Sequence, residues 1–395
     1  MSLSVRIDPA PEDEIIGVSE AAARDPNPST MDLSVGGYCD DTGTVPLMGA
    51  VAEALDELAA GRGGRGYGPL LGRPAFHEAV LDLVLPNGSR EQVVVAQAVG
   101  GTGALRLLLE TWQRLHPKAP AWVTDPPYPN HPKVAAACHV GIGLFPHHPT
   151  DEGIDTAALA AAWSNMEPGD TVLLHGCCHN PTGRDPSPAQ WAELAAIAGE
   201  RDALAVIDLA YLGFAEGIHA DLAAVRAFGD AGRPFAVCVS FSKNFLLGGE
   251  RVGAVVVVAE SARQAAALRT RLAAAARGLW SSPPRFGAEL VTAVLTDSER
   301  RSRWEQELSA MAARIRRLRQ QLRDSLAAGG AAVDLEGLVR QRGLFWWSGL
   351  TQAQMHRLRV EHSVYALDSG RMNLAAVPED AVDHLAKAVV AVTTG

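Results

Sequence analysis

Five short runs of almost unbroken apolar character constrain this 395-residue chain more than any other feature. They are "EQVVVAQAV" (91–99), "AWVTD" (121–125), "TVLLHGCC" (171–178), "ALAVID" (203–208) and "FAVCVS" (235–240). A strand with one wet face alternates apolar and polar residues. A strand buried on both faces does not, and that is the habit of parallel strands covered by helices. Helical patterns lie between the runs: "ALRLLLETWQRL" follows the first, and "PAQWAELAAIAGERD" the third, with Pro188 suited to the first turn. Strands and helices alternating at intervals of about thirty residues predict an α/β fold, a mostly parallel sheet flanked by helices.

The stretch 299–328, within "ERRSRWEQELSAMAARIRRLRQQLRDSLAAGG", is a long amphipathic pattern stopped by glycines, and it divides the chain. Residues 1–40 are expected to form an N-terminal arm and part of a small domain, 41–305 a large domain, and 306–395 a smaller α+β domain. In the last, "GLVRQRGLFWWSGL" and "VYALDSGRMNLAAV" supply short strands around a helix.

A net charge of −10 leaves no electrostatic footprint for nucleic acid. The arginine-rich run "RIRRLRQQLR" is interleaved with apolar residues and reads as a solvated helix face. Five scattered cysteines without a CxxC favour reduced thiols in a cytosol over a disulfide framework. The N-terminus has no apolar leader, and every apolar run is interrupted well before eighteen residues, so no membrane span is expected and the protein is placed in the cytoplasm.

In open parallel sheets, ligands collect beyond the carboxyl ends of the strands. Those ends here carry Gly100-Gly101-Thr102-Gly103, Tyr128, "HNPTG", Asp208 with Tyr211, and Lys243. The glycine turn can receive an anion on the free N–H groups of a helix start. It is neither a dinucleotide fingerprint, since Arg106 stands where the third glycine belongs, nor a Walker loop. "HGCCH" (175–179) has metal-ligand residue types, but neighbouring strand residues face opposite ways, which favours packed cysteines. Only four lysines stand against thirty-one arginines, and one of the four, Lys243, follows an apolar run. A lysine in a dry, partly cationic site loses pKa and becomes a nucleophile able to form a Schiff base. Ser240 and Arg251 bracket it and could hold a phosphate. Asp208, ending a buried strand, calls for a cation.

Together these segments resemble the pyridoxal-phosphate-dependent aminotransferases of fold type I, class I, in the aspartate and aromatic amino-acid subfamily. "SFSKN…GERVGA" resembles its Schiff-base lysine segment, "HGCCHNPTG" its asparagine loop, "IDLAYLGFAEG" its aspartate–tyrosine strand and "GGTGALR" its phosphate turn. "YGPLLG" resembles its intersubunit tyrosine loop and "SGRMNLA" its carboxylate arginine; "LSVGGYCDDTGTVPL" and "RGLFWWSGLT" also match. The likeness runs from about residue 30 to the end.

The resemblance implies pyridoxal 5'-phosphate as cofactor, bound to Lys243, which then acts as the base moving the substrate α-proton. It implies that Asp208 pairs with the pyridine nitrogen, that Tyr211 and Asn180 bond the phenolic oxygen, and that Tyr128 stacks on the ring. His131 and His175 would support Asp208. Gly101, Thr102, Ser240 and Arg251 would hold the phosphate, with Tyr67 reaching in from the partner of a homodimer. Arg371 would clamp the substrate α-carboxylate, with Gly36 in the segment closing over it, and Asn180 and Tyr128 would also face the substrate. Arg277, in "RGLWSSPP", matches the arginine sent across the dimer to a distal carboxylate.

The implied reaction is ping-pong transamination through pyridoxamine phosphate, from a dicarboxylic or aromatic L-amino acid to a 2-oxo acid such as 2-oxoglutarate. The same lysine and aspartate also serve β-elimination, β-decarboxylation and racemisation, and a fold retained for cofactor binding without turnover is a third alternative. Two departures bear on this. Gly100 stands where the subfamily usually has serine, removing a donor worth roughly 1.5–3 kcal/mol against a charged acceptor, so weaker cofactor binding is expected. Cys39, Val45, Gly66 and Ser282 replace polar residues at the entrance, and Trp280 and Trp347 add apolar wall, which favours aromatic substrates beside dicarboxylates.

Overall fold

The structure, a computed structural model, describes residues 9, 12–61, 66–87 and 90–394. The first eight residues, on which the expected absence of a leader and part of the expected arm rest, lie outside it.

Seven strands make the large sheet: β1 (Val93–Val99), β2 (Ala121–Asp125), β3 (Ile142–Pro146), β4 (Thr171–His175), β5 (Leu204–Leu209), β6 (Phe235–Ser240) and β7 (Val252–Val258). Their order is β1-β7-β6-β5-β4-β2-β3. All neighbours are parallel except β7, which runs against both β1 and β6. The α/β architecture with a mostly parallel sheet is therefore the one that the apolar runs predict. Two strands are additions to those runs. β3 is an edge strand whose Ile142 and Leu144 are 41% and 53% exposed, so it lacks a continuous buried run. β7 is as buried as its neighbours, and its reversed direction comes from a short connection, residues 241–251, which only an antiparallel neighbour permits.

Helix Gly100–Leu115 packs its Leu105, Leu108 and Leu109 onto the sheet, where they meet Val94, Val123, Val206 and Val255 in one core with Leu272 of helix Ala262–Leu279. Each such side chain contributes about 1.5–3 kcal/mol on burial. Helix Pro188–Glu200 starts with a capping box, Ser187 and Gln190 each satisfying the other's backbone N–H.

The described residues divide into two compact units. The larger holds 45–316 and 340–344; the smaller holds the residues up to 44, 317–339 and those from 345 on. These divisions, at 44/45 and 316/317, differ from 40/41 and 305/306 as read from the sequence. The second falls inside helix Ser298–Gly329, whose chain carries no break to betray it. From Leu318 onward that helix packs Leu322 and Leu326 with Leu338, Trp346, Leu358 and Leu385 in the core of the smaller unit. In that unit Phe345–Trp347 pairs antiparallel with Arg371–Asn373, and Met31–Asp32 pairs parallel with Val364–Tyr365. Among the described residues no helix is long and apolar enough to cross a membrane.

Candidate active site

The parallel register sets Asp208 of β5 beside His175 of β4 and Cys238 of β6, all near the carboxyl edge. Asp208 is buried. Its Oδ2 accepts from His131 Nε2 at 3.0 Å, while Oδ1, equally buried, has no partner among the described residues. A buried carboxylate oxygen without a donor is costly, so this geometry suits an added donor or cation. His131 stacks on His175 with ring centres 4.8 Å apart, and Tyr128 meets both edge-on at 5.2 and 6.0 Å. Burial, with His131 and His147 nearby, keeps the His175 pKa well below the usual histidine range. Among the described residues, His131, His175 and Asp208 are the group of ligand types close enough to share an ion. The cysteines of "HGCCH" stand apart from it: Cys177 and Cys178 are buried thiols.

Reversal of β7 brings Arg251, just before its first residue, to the same edge, next to Ser240 at the end of β6 and Gly100 after β1. Gly100 N donates to Arg251 O at 2.9 Å. The Arg251 guanidinium donates to Ser242 Oγ at 3.3 Å and to Gly248 O at 3.0 Å, and Ser242 N donates to Ser240 Oγ at 3.3 Å. Asn130 Nδ2 donates to Thr102 Oγ1 at 3.0 Å. Gly100 has φ +68°, and a Cβ built on it would lie 2.5 Å from Arg251 Nη2. The glycine is therefore more than a missing hydroxyl: the guanidinium occupies the space that a serine side chain would take.

One cavity of about 180 Å³ is lined by Gly101, Thr102, Tyr128, Asp208, Tyr211, Ser240, Lys243 and Arg251 together with His175. Lys243 lies half-buried in the turn after β6. Asn180, buried, donates from Nδ2 to the Tyr211 hydroxyl at 3.4 Å. Asn244 braces the lysine turn: Nδ2 donates to Leu212 O at 3.3 Å, and the Asn244 backbone carbonyl accepts from Trp304 Nε1 at 2.7 Å.

Four expected site residues remain. Tyr67 is 95% exposed. Arg277 is exposed in the last turn of helix Ala262–Leu279, donating to Ser281 Oγ. Gly36 and Arg371 belong to the smaller unit. Arg371 is buried there, with its guanidinium 4.3 Å over the Phe345 ring and donating to the Ser34 carbonyl. Asn373 Nδ2 grips both sides of Gly36, donating to Val35 O at 2.8 Å and Gly37 O at 2.6 Å.

Sequence reasoning missed His147, Asp185 and Asp221 next to this constellation, and weighed His179 only as part of "HGCCH". His147 and His179 stack beside the Asn180 loop, and the carboxylates of Asp185 and Asp221 collect backbone N–H groups from the Asn180 and Tyr211 loops. An aspartate a few residues past a turn was the one available signal.

The model of the family "Aminotransferase class I and II" matches residues 28–389. The aspartate aminotransferase of Pseudomonas aeruginosa is 38% identical over 397 aligned positions, covering 99% of this chain and 100% of that protein. The aromatic-amino-acid aminotransferase of the same organism is 37% identical and covers 99% of each. The crystal structure of the Burkholderia pseudomallei aromatic-amino-acid aminotransferase, covalently bound to pyridoxal phosphate, superposes with a TM-score of 0.95 at 39% identity over the whole of both chains. The chain belongs to the class I and II aminotransferases, the fold type I enzymes that work with pyridoxal phosphate.

Proposed function

We propose that this enzyme moves the amino group of a dicarboxylic or aromatic L-amino acid to a 2-oxo acid such as 2-oxoglutarate, and that the residues around Lys243 carry the reaction. The observation that supports it most is Asp208, tied to His131 through one oxygen, with no partner for the other among the described residues, in the cavity that also takes Lys243. That oxygen fits the protonated ring nitrogen of pyridoxal phosphate. The helix start at Gly101 and Thr102, with Ser240 and Arg251, fits its phosphate. When bound, the cofactor supplies an electron sink for the bond broken at the substrate Cα.

Each side chain then has a task. Asp208 keeps a proton on the ring nitrogen, and His131 orients Asp208. Lys243 Nζ would be the group that holds the cofactor and the base that takes the proton from the substrate Cα. Asn180 and Tyr211 would hydrogen-bond the phenolic oxygen, and Tyr128 would stack on the ring. Arg371 takes the substrate α-carboxylate, with the Gly36 segment closing over it. Tyr67 and Arg277 serve the other subunit of a twofold homodimer, which fits the exposure of both. Acceptance of both substrate classes is supported by relatives of either name at almost equal identity. The same names favour transamination over elimination, decarboxylation or racemisation. Five cysteine thiols, four of them buried, fit a reducing cytoplasm.

The test is the visible spectrum of the protein with pyridoxal phosphate, before and after L-aspartate or L-phenylalanine without oxo acid. Loss of the lysine-bound band, a gain of the aminated cofactor and its reversal by 2-oxoglutarate are expected; Lys243→Ala should abolish all three. A bound cofactor that never gains the amino group would point to the other reactions.

A further inference from the structure

Asn180 and Tyr211 touch at 3.4 Å, too long a contact to hold two side chains in register by itself. Their backbones are held differently. Asp185 accepts from the two N–H groups just before Asn180, Cys178 N at 2.7 Å on Oδ2 and His179 N at 2.8 Å on Oδ1. Cys178 is thereby kept at φ +53°, a left-handed conformation rare for a residue with a Cβ. Asp221, in the short helix Ile218–Asp221, accepts from three N–H groups just after Tyr211: Gly213 at 2.8 Å and Ala215 at 3.1 Å on Oδ2, and Glu216 at 2.8 Å on Oδ1. Successive N–H groups converging on one anion form a rigid nest.

We propose that Asp185 and Asp221 are positioning residues of the active site: each carboxylate gathers the N–H groups of one loop, and together they fix Asn180 and Tyr211 at the distance needed to share one cofactor oxygen. This rests on the reading that Asn180 and Tyr211 bond the phenolic oxygen. Burial raises the pKa of both carboxyls, that of Asp221 to about 6 despite its three donors. Arg342 and Arg184 face Asp185 and favour its charge, while Asp185 opposes the charge of Asp221. The fold thus keeps two anions where they are costly, in the two loops that carry the pair.

The experiment uses the holoenzyme without substrate. The pH midpoint of the visible lysine-bound band is measured for the wild type, Asp185→Asn and Asp221→Asn, with Asn180→Ala and Tyr211→Phe as references. Backbone hydrogen exchange is followed at 178–179 and 213–216. In the wild type the amides of 178, 179, 213, 215 and 216 should exchange as slowly as those of β5. In each Asn variant its own loop should exchange about tenfold faster, and the midpoint should move in the same direction as in Tyr211→Phe, by about one pH unit. A midpoint that stays in both Asp variants while it moves in the references overturns the proposal. If the references also leave it unmoved, the assignment of Asn180 and Tyr211 to the phenolic oxygen has failed, and the proposal with it. Should the Asn variants not fold, fast exchange of the five amides in the wild type overturns it on its own.

Discussion

The imidazoles of His147 and His179 lie face to face, ring centres 3.6 Å apart and planes 15° from parallel. His179 meets His175 edge-on at 4.9 Å, and His175 stacks on His131, so four buried rings run in a row up to Asp208. His147 bonds Arg184 O through Nε2 at 2.7 Å, and His179 bonds Thr182 Oγ1 at 2.8 Å and Thr124 Oγ1 at 3.1 Å. Burial above all depresses the pKa values, that of His147 to about 4 and those of His175 and His179 well below the usual range.

The consequence is acid lability with a definite sign. As pH falls below about 6.5 the unfolded chain takes up protons that His147, His175 and His179 refuse when buried. Their contribution to stability is whole above that pH and is lost as pH drops towards 4. Each such ring adds a slope of about 1.4 kcal/mol per pH unit in that window. His147→Phe, which keeps an aromatic face for His179, should therefore flatten the fall in urea midpoint between pH 6.5 and 4.5 by the equivalent of about one proton. Parallel curves for variant and wild type would contradict this.

Gly100→Ser offers a second check. The expectation from a missing donor is that serine tightens cofactor binding. With Arg251 Nη2 2.5 Å from the new Cβ and φ at +68°, serine should displace the guanidinium instead. The dissociation constant of pyridoxal phosphate should rise about tenfold or more, matching the loss of one charged hydrogen bond. Fluorescence titration of the apoenzyme decides, and tighter binding would refute the account.

Arg277→Ala separates the substrate classes. Loss of a guanidinium partner for a distal carboxylate should cut kcat/KM for aspartate about a hundredfold, and leave kcat/KM for phenylalanine within about threefold. Equal losses for both would mean that Arg277 serves the dimer rather than the substrate.

Asp208→Asn should retain cofactor binding through the phosphate contacts but lower kcat by about a hundredfold to ten-thousandfold, because a neutral amide cannot hold the ring nitrogen protonated. His131→Asn should have a smaller effect in the same direction. Steady-state rates with the band spectrum recorded in parallel check both.

Much of this is legible in the amino-acid sequence. The ends of the apolar runs point to Asp208, Lys243 and the Gly101–Thr102 turn, because a strand buried on both faces leaves polar chemistry only at its tip. The runs at 121–125 and 235–240 coincide with β2 and β6, and the other three come within a few residues of β1, β4 and β5. β3 was hidden because an exposed edge strand has no continuous apolar run. The reversed direction of β7 was hidden because "VGAVVVV" reads alike in either direction. Asp185 and Asp221 escaped because their partners are backbone N–H groups, which leave no trace in residue type. His147 escaped because its stack with His179 joins positions far apart in the chain.

The hairpin between β6 and β7 carries both Lys243 and Arg251 on residues 241–251, with its two ends locked in register by Ser240 opposite Gly253. The amine that would grip one end of the cofactor and the guanidinium that would grip the other are thus measured off along a single closed loop. A helical crossover could absorb an inserted residue in its turns; in this loop an insertion changes the number of residues between the two groups. Length variation, tolerated widely on the surface of such a protein, should be forbidden between Phe241 and Arg251. A circularly permuted chain opened there would lose the molecular ruler while keeping every side chain.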